Sequence, residues 1–155
     1  RVTEKEQIAK AVELAFTESE EVLIEECITG REFGCGVLIT KEKELVLPIT
    51  EIVSKNAFFD YEAKYTAGMS APISEEWAAM LAHDAVEAYK ACRCRGIVRI
   101  DFIITEEGKA YLIEVNAIPG MSSGSIVPKQ ARTAGISLGE LYDWVIGDTM
   151  PLSNL

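Results

Sequence analysis

One histidine, four cysteines and no Cys-x-x-Cys pair leave this 155-residue chain short of the ligands from which zinc sites are built. The thiols at Cys27, Cys35, Cys92 and Cys94 read instead as reduced, mostly buried side chains of a cytoplasmic protein. Basic residues are scarce as well: 15 Lys and Arg stand against 25 Asp and Glu, for a net charge of −10. That balance argues against binding nucleic acid or an anionic membrane through general electrostatics. It leaves a nucleotide open, because its phosphates need only a metal and one or two local cations. No apolar run approaches the length of a membrane span, no signal-peptide pattern opens the chain, and no repeat or low-complexity tract interrupts it. Disorder is excluded too, since hydrophobic residues make up 48 % of the chain, enough for one sizeable core.

What is present is a mixture of helix-period and strand-period segments, which places the fold in the α+β class, a largely antiparallel sheet flanked by helices. Ile8, Ala11, Val12, Ala15 and Phe16 recur at helical spacing, and Thr3-Glu4-Lys5-Glu6 has the form of a capping box, so residues 3–17 read as an amphipathic helix. Residues 21–28 read as a strand, Thr29-Gly30 as a turn and residues 31–40 as a second strand. After the charged turn at 41–44, residues 45–53 read as an edge strand, since Pro48 cannot donate to a ladder. Residues 54–73 have no clean period and are too long for an ordinary connection, the usual mark of a lid or binding loop. A helix capped by Ser74 runs to Arg93. Ile126 to Ala134 forms a short helix, and Ser137-Leu138-Gly139-Glu140 caps a last one to about Gly147. The opening on Arg1, directly into a helix start, suggests a segment of a longer polypeptide.

The strongest chemical signal lies in two runs, Arg99 to Ile104 and Ala110 to Asn116. A tight turn at Glu107-Gly108 pairs Asp101 with Glu114 and Arg99 with Asn116. Alternation then projects all four side chains from one face. Two carboxylates opposed across a sheet repel each other, so with an amide alongside they call for a cation. Oxygen-only ligands suit magnesium, which takes one or two carboxylates together with nucleotide phosphates. Arg99 serves as their counter-charge, as a group that neutralises charge developing in a transfer reaction, or as both.

Other segments are less specific. Glu25 and Glu32 flank the Thr29-Gly30 turn, either as exposed strand carboxylates or as acceptors for a ligand's amine and hydroxyls. The run Phe58 to Tyr65 is a surface loop with aromatic anchors, or a loop that packs over a ligand with Lys64 suited to a phosphate. Pro119 to Ser125 follows the metal-bearing strand, and its glycines let backbone amides approach an anion. His83 belongs on an exposed helix face without a role.

In combination, Glu-Val-Leu-Ile-Glu (21–25), Gly-Arg-Glu-Phe (30–33), Phe-Asp-Tyr-Glu-Ala-Lys-Tyr (59–65), Gly-Ile-Val-Arg-Ile-Asp (96–101) and Glu-Val-Asn-Ala-Ile-Pro-Gly-Met-Ser-Ser-Gly-Ser (114–125) resemble the C-terminal part of the D-alanine–D-alanine ligases of the ATP-grasp superfamily. The resemblance covers nearly the whole chain in the family's order. It implies the ATP-dependent joining of two D-alanines through an acyl phosphate, for peptidoglycan synthesis in the bacterial cytoplasm. It further implies that Glu25, with the backbone near Glu26 and Ile28, holds adenine and that Glu32 holds the ribose. Asp101, Glu114 and Asn116 would bind two magnesium ions, with manganese able to substitute. Lys64 would contact the transferred phosphate, and Tyr65 would help the loop close. Arg99 and the amide of Gly120 would stabilise the tetrahedral oxyanion, and Ser125 with the amide of Ile126 would hold the second D-alanine. The family's N-terminal and central parts, which complete the site, are not among these residues, so this segment alone should be inactive. The full-length form would be a homodimer. Cys27, where relatives often carry a bulkier side chain, and Phe59, which replaces a frequent Tyr, are departures. The rival readings are another ATP-grasp carboxylate–amine ligase, such as a D-alanine–D-lactate ligase, and a non-catalytic nucleotide-binding module.

Overall fold

The computed structural model describes residues 1–53 and 73–149. Among these residues five strands form one antiparallel sheet: β1 (Arg31–Ile39), β2 (Glu44–Val46), β3 (Thr50–Glu51), β4 (Gly96–Ile104) and β5 (Ala110–Asn116). β1 and β4 pair along their full length, β5 lies beyond β4, and β2 and β3 share the far side of β1. The expected edge strand at 45–53 is thus two short pieces broken around Pro48, as a residue without an N–H requires. Among the described residues four α-helices accompany the sheet: α1 (Ile8–Ala15), α2 (Glu75–Ala91), α3 (Ile126–Thr133) and α4 (Leu138–Thr149).

Alternation along β1 and β4 assigns the two faces. Phe33, Cys35, Val37, Val98, Ile100, Phe102 and Ile104 point to one side and pack on Leu81, Ala85, Val86 and Tyr89 of α2. Ser74 caps α2 as expected, its hydroxyl accepting from the Trp77 amide at 3.2 Å. On the other face, Leu38 joins Leu47, Val127, Ala131 and Leu141 beneath α3 and α4, with Ile97 packed against them. The same face continues beyond these helices as Glu32, Gly34, Arg99 and Asp101. One side of the sheet is therefore mainly core, and the other is half core and half polar.

Of the two expected helix-start signals, the capping box at Thr3 does not form and the cap at Ser137 does. Ser137 Oγ donates to Glu140 at 2.7 Å, while the Glu140 amide donates back to Ser137 Oγ at 3.2 Å. At the first, Glu4 stands at the cap with no side-chain hydrogen bond, and the helix starts as a 3₁₀ turn, Lys5–Gln7. Residues 21–28 are not a strand either: no strand pairs with them among the described residues, and Leu23 and Ile24 are largely exposed. With no strand before it, Thr29-Gly30 is no hairpin turn. Gly30 is instead a close approach to β4, where a Cβ would lie 2.2 Å from the Ile104 carbonyl oxygen.

Candidate functional site

The β4–β5 hairpin is where the polar half of the sheet is built. Its loop is one residue longer than a two-residue turn: the Thr105 amide donates to the Lys109 carbonyl at 3.0 Å and the Gly108 amide to the Thr105 carbonyl at 2.9 Å. Gly108 takes φ +81, the left-handed conformation that ends such a loop. This offsets the ladder so that Phe102 faces Leu112, and a bulge between Asp101 and Phe102 restores the register. Asp101 accordingly pairs with Glu114 and Arg99 with Asn116, as expected, although the turn itself was misplaced.

Arg99 binds both carboxylates. Its Nε donates to Asp101 Oδ1 at 2.9 Å, and its Nη2 donates to Asp101 Oδ2 at 2.8 Å and to Glu114 Oε1 at 3.1 Å. Asp101 is 3 % exposed, whereas the Glu114 side chain is 55 % exposed. Burial works against the charge on Arg99, but the bonds to Asp101 and the two nearby carboxylates outweigh it and raise its pKa. Burial raises the Asp101 pKa, with the Arg99 bonds opposing it and Glu114 adding to it. Glu32, on β1 two residues from Asp101's partner Gly34, joins the same electrostatic group. Burial, then the charges of Asp101 and Glu114, push its carboxyl up to about 7 against the relief given by Arg99.

That shift has a sign that can be measured. Because the folded state holds the Glu32 proton more tightly than the unfolded state does, its contribution to stability is full below about pH 4.5 and is lost as the pH rises through about 7. Urea midpoints at pH 5 and pH 8 should therefore fall further for the wild type than for Glu32→Gln. After discounting for solvent screening, the difference should be on the order of 1 kcal/mol.

Gly34 and Gly36 are packing positions beside the site that the sequence alone did not single out. They face Asp101 and Arg99 across the ladder. A Cβ at Gly34 would lie 3.2 Å from Asp101 Oδ1, and one at Gly36 would lie 2.7 Å from Gln130 Oε1. Bare backbone at these two places lets the charged pair and α3 settle onto the sheet. Two glycines in a strand could have been a signal of such close approach.

Beyond β5 the chain turns through Pro119, which is buried, to the start of α3. Ser122 and Ser125 hydroxyls lie 2.9 Å apart, and a Cβ on Gly120 would come within 2.9 Å of Ser125 Oγ. Gly120, Ser125 and Ile126 are thereby brought together. Ser125 occupies the cap position of α3, yet its side chain makes no cap bond, leaving its hydroxyl to Ser122.

Glu25 and Glu26 are exposed and Ile28 is half-buried, on the irregular segment before β1. A cleft of about 570 Å³ between α1 and this segment is lined by Glu25 and Cys27 but by none of Glu32, Arg99, Asp101, Glu114 or Asn116. The structure thus does not unite the two groups of candidates. Lys64 and Tyr65, like Phe59, lie outside the described residues. His83 is exposed, 3.2 Å from Asp84, as expected.

The cysteines need a correction. Only Cys35 is buried, while Cys27 and Cys92 are exposed and Cys94 is intermediate. Cys35 lies in the core against α2, where burial and then the Asp101 charge push its thiol up to about 12. A thiol reagent should label Cys27 and Cys92 rapidly in the native protein and Cys35 only in denaturant. Mass mapping of the labelled peptides checks this.

The donor chemistry can be tested against a divalent ion. Among the described residues no set of three or more His, Cys, Asp or Glu converges to hold a metal. Two carboxylates and an amide on one sheet face are too few for a self-sufficient cage. They fit magnesium, which keeps waters and takes its remaining ligands from phosphates.

The family described as D-ala D-ala ligase C-terminus matches residues 1–147. The chain is 43 % identical over 150 residues to a D-alanine–D-alanine ligase of Bacteroides fragilis, which covers 94 % of this chain and 46 % of that relative. It is 40 % identical over 152 residues to one of Porphyromonas gingivalis, covering 96 % and 46 %. Among solved structures it is similar to the VanG D-Ala:D-Ser ligase from Enterococcus faecalis, with TM-score 0.80, 38 % identity and coverage of 93 % of this chain and 43 % of that one. It is also similar to the D-alanine–D-alanine ligase from Bacillus anthracis complexed with ATP, with TM-score 0.78, 29 % identity and coverage of 99 % and 49 %. The chain spans about half the length of the curated relatives it matches. With a family match over residues 1–147 and relatives at 40 % identity or more across nearly all of its length, the chain belongs to the D-alanine–D-alanine ligase family as its C-terminal, ATP-grasp part.

Proposed function

We propose that this chain is the C-terminal half of a bacterial cytoplasmic ligase that joins two D-alanines with ATP. The carboxylate of the first D-alanine takes the γ-phosphoryl group and releases ADP. The amine of the second attacks that acyl phosphate, loses a proton, and expels inorganic phosphate to leave D-alanyl-D-alanine. The observation that carries this reading is the shared face of β4 and β5, where Asp101 and Glu114 stand across from each other with Arg99 between them.

Asp101, Glu114 and Asn116 would hold magnesium, which supplies neutralisation of the nucleotide's phosphate charge. Glu25, Glu26 and Ile28 would receive the adenine, Glu32 the ribose, and Lys64 the transferred phosphate, with Tyr65 helping to exclude water from it. Arg99 and the Gly120 amide would meet the oxyanion as the second amine adds. Ser125 and the Ile126 amide, at the start of α3, would take the second D-alanine's carboxylate. The other parts of the ligase would complete the nucleotide clamp. Leu14, Phe16, Leu23 and Ile24, all more than half exposed, are the apolar surface on which they would dock.

The test is ADP release by the full-length protein, which should require D-alanine, while the 155-residue chain alone makes no dipeptide because it cannot hold both reactants. ADP release independent of any amino acid would overturn the ligase reading in favour of a nucleotide-hydrolysing or binding module. A second reading is supported by the likeness to a D-Ala:D-Ser ligase: the acceptor could differ from D-alanine. Offering D-alanine, D-serine and D-lactate as the second substrate separates these, with D-alanine expected to give the highest kcat/KM.

A further inference from the structure

Gln130 is 1 % exposed, an unusual place for an amide that the chemistry above does not use. Its Nε2 donates to the Gly34 carbonyl at 2.8 Å, a bond that ties α3 to β1. Gly34 is the direct ladder partner of Asp101, and Gly36, the partner of Arg99, is bare where Gln130 Oε1 comes down on the sheet. That oxygen has no hydrogen-bond partner among the described residues. An apolar side chain would have filled the same space without this cost, so packing alone does not account for the residue.

From the helix side, Gln130 lies one turn after Ile126, about 6 Å along the axis and on the same face. α3 is therefore pinned to the strand opposite Asp101 at a point one turn below its own N-terminus. The two partners are not equally free. β1 is held by β4 along nine residue pairs and by β2 and β3 on its other side. α3 is held by packing, by Gln130, and by the bond from Arg132 Nη2 to the Ser123 carbonyl at 2.8 Å on its exposed side. Losing the Gln130 bond should leave Asp101 and Arg99 in place and release the start of α3.

Resting on the ligase reading, we propose that Gln130 is a positioning residue. It sets the distance between the α3 N-terminus, where Ser125 and Ile126 would hold the second D-alanine, and the Arg99–Asp101 pair, where the acyl phosphate would form. Gly36 is its structural complement, a strand position kept empty so that the amide can reach Gly34.

The experiment uses the full-length ligase with Gln130→Met, which keeps the volume and removes the donor. The double variant Gly36→Ala/Gln130→Ala is the control, since it returns bulk to the same spot without an amide. In Gln130→Met the KM for the second D-alanine should rise by about tenfold and kcat should fall by a similar factor, while the KM for ATP stays unchanged. In the double variant Leu47 must shift slightly, since its Cδ1 would lie 2.9 Å from the new Cβ, and the second-substrate KM should stay high. An unchanged second-substrate KM in Gln130→Met, or its restoration in the double variant, would reduce Gln130 to a filler and overturn the proposal. A wild type that shows no D-alanine-dependent ADP release would instead bring down the ligase reading, and the proposal with it.

Discussion

Glu114→Gln in the full-length protein should abolish turnover, by about 10³-fold or more, and leave the fold standing. The two halves of that expectation come from the same geometry. Glu114 is more than half exposed and touches Arg99 through one oxygen at 3.1 Å, a bond that an amide oxygen can still accept. Its loss costs little stability, because a partly solvated ion pair contributes little. The charge, however, is half of the acidic pair that would hold magnesium against the phosphates, and preorganised electrostatics of this kind are worth several kcal/mol in a transition state. Asp101→Asn supplies the contrast. Asp101 is buried and makes three bonds to Arg99, so removing its charge leaves a half-buried guanidinium short of its main partner. That variant should lose activity and also about 3 kcal/mol of stability. Steady-state ADP release and urea melts of both variants separate the effects. A Glu114→Gln enzyme within tenfold of wild type would remove the metal role from Glu114.

How much of this site was legible beforehand depended on whether a position answers to local or to distant constraints. The pairing of Asp101 with Glu114 could be read, but the reading reached it through a two-residue turn that does not exist. The real loop is a residue longer and a bulge between Asp101 and Phe102 takes the residue back; neither residue is the glycine that would have signalled it. The segment 21–28 has strand-like composition, yet composition describes a surface that fits a sheet and cannot supply the neighbouring strand. The two Ser/Thr-x-x-Glu motifs make the point again. The Ser137 box closes because α4 seats Leu141 fully in the core and so fixes the turn that bears the cap. The helix after Thr3 buries no residue, so nothing holds its first turn in the geometry a box needs. Two glycines in one strand do hint at a close approach, but what approaches Gly34 and Gly36, and what Gln130 meets, lies more than 60 positions away in the chain.

Phe33→Ala should be the most destabilising single truncation of the core, costing about 3–5 kcal/mol. Phe33 is fully buried near the start of β1 and is paired with Phe102, on the face that α2 covers. Truncation would open a cavity between two elements held apart by strand ladders and by a 17-residue helix, which cannot collapse into it without breaking pairing. The ring also has specific partners. It meets Trp77 edge-on at 6.4 Å between centroids, and the Arg31 guanidinium lies 5.2 Å from its centre, held by a paired bond to Glu51 at 2.8 Å. Each adds to the loss, by about 1 kcal/mol for the aromatic contact. Phe33→Leu, which keeps most of the volume but not the ring, should therefore cost clearly less than Phe33→Ala and still more than a volume-matched swap elsewhere. The adjacent Glu32 and Gly34 point to the opposite face, so a chain that survives Phe33→Leu should retain the Arg99–Asp101–Glu114 arrangement. Urea midpoints for the two variants would decide it: equal losses would mean that volume is not what Phe33 contributes, and a loss below 1 kcal/mol for Phe33→Ala would mean that the sheet and α2 are far less tightly joined than their packing indicates.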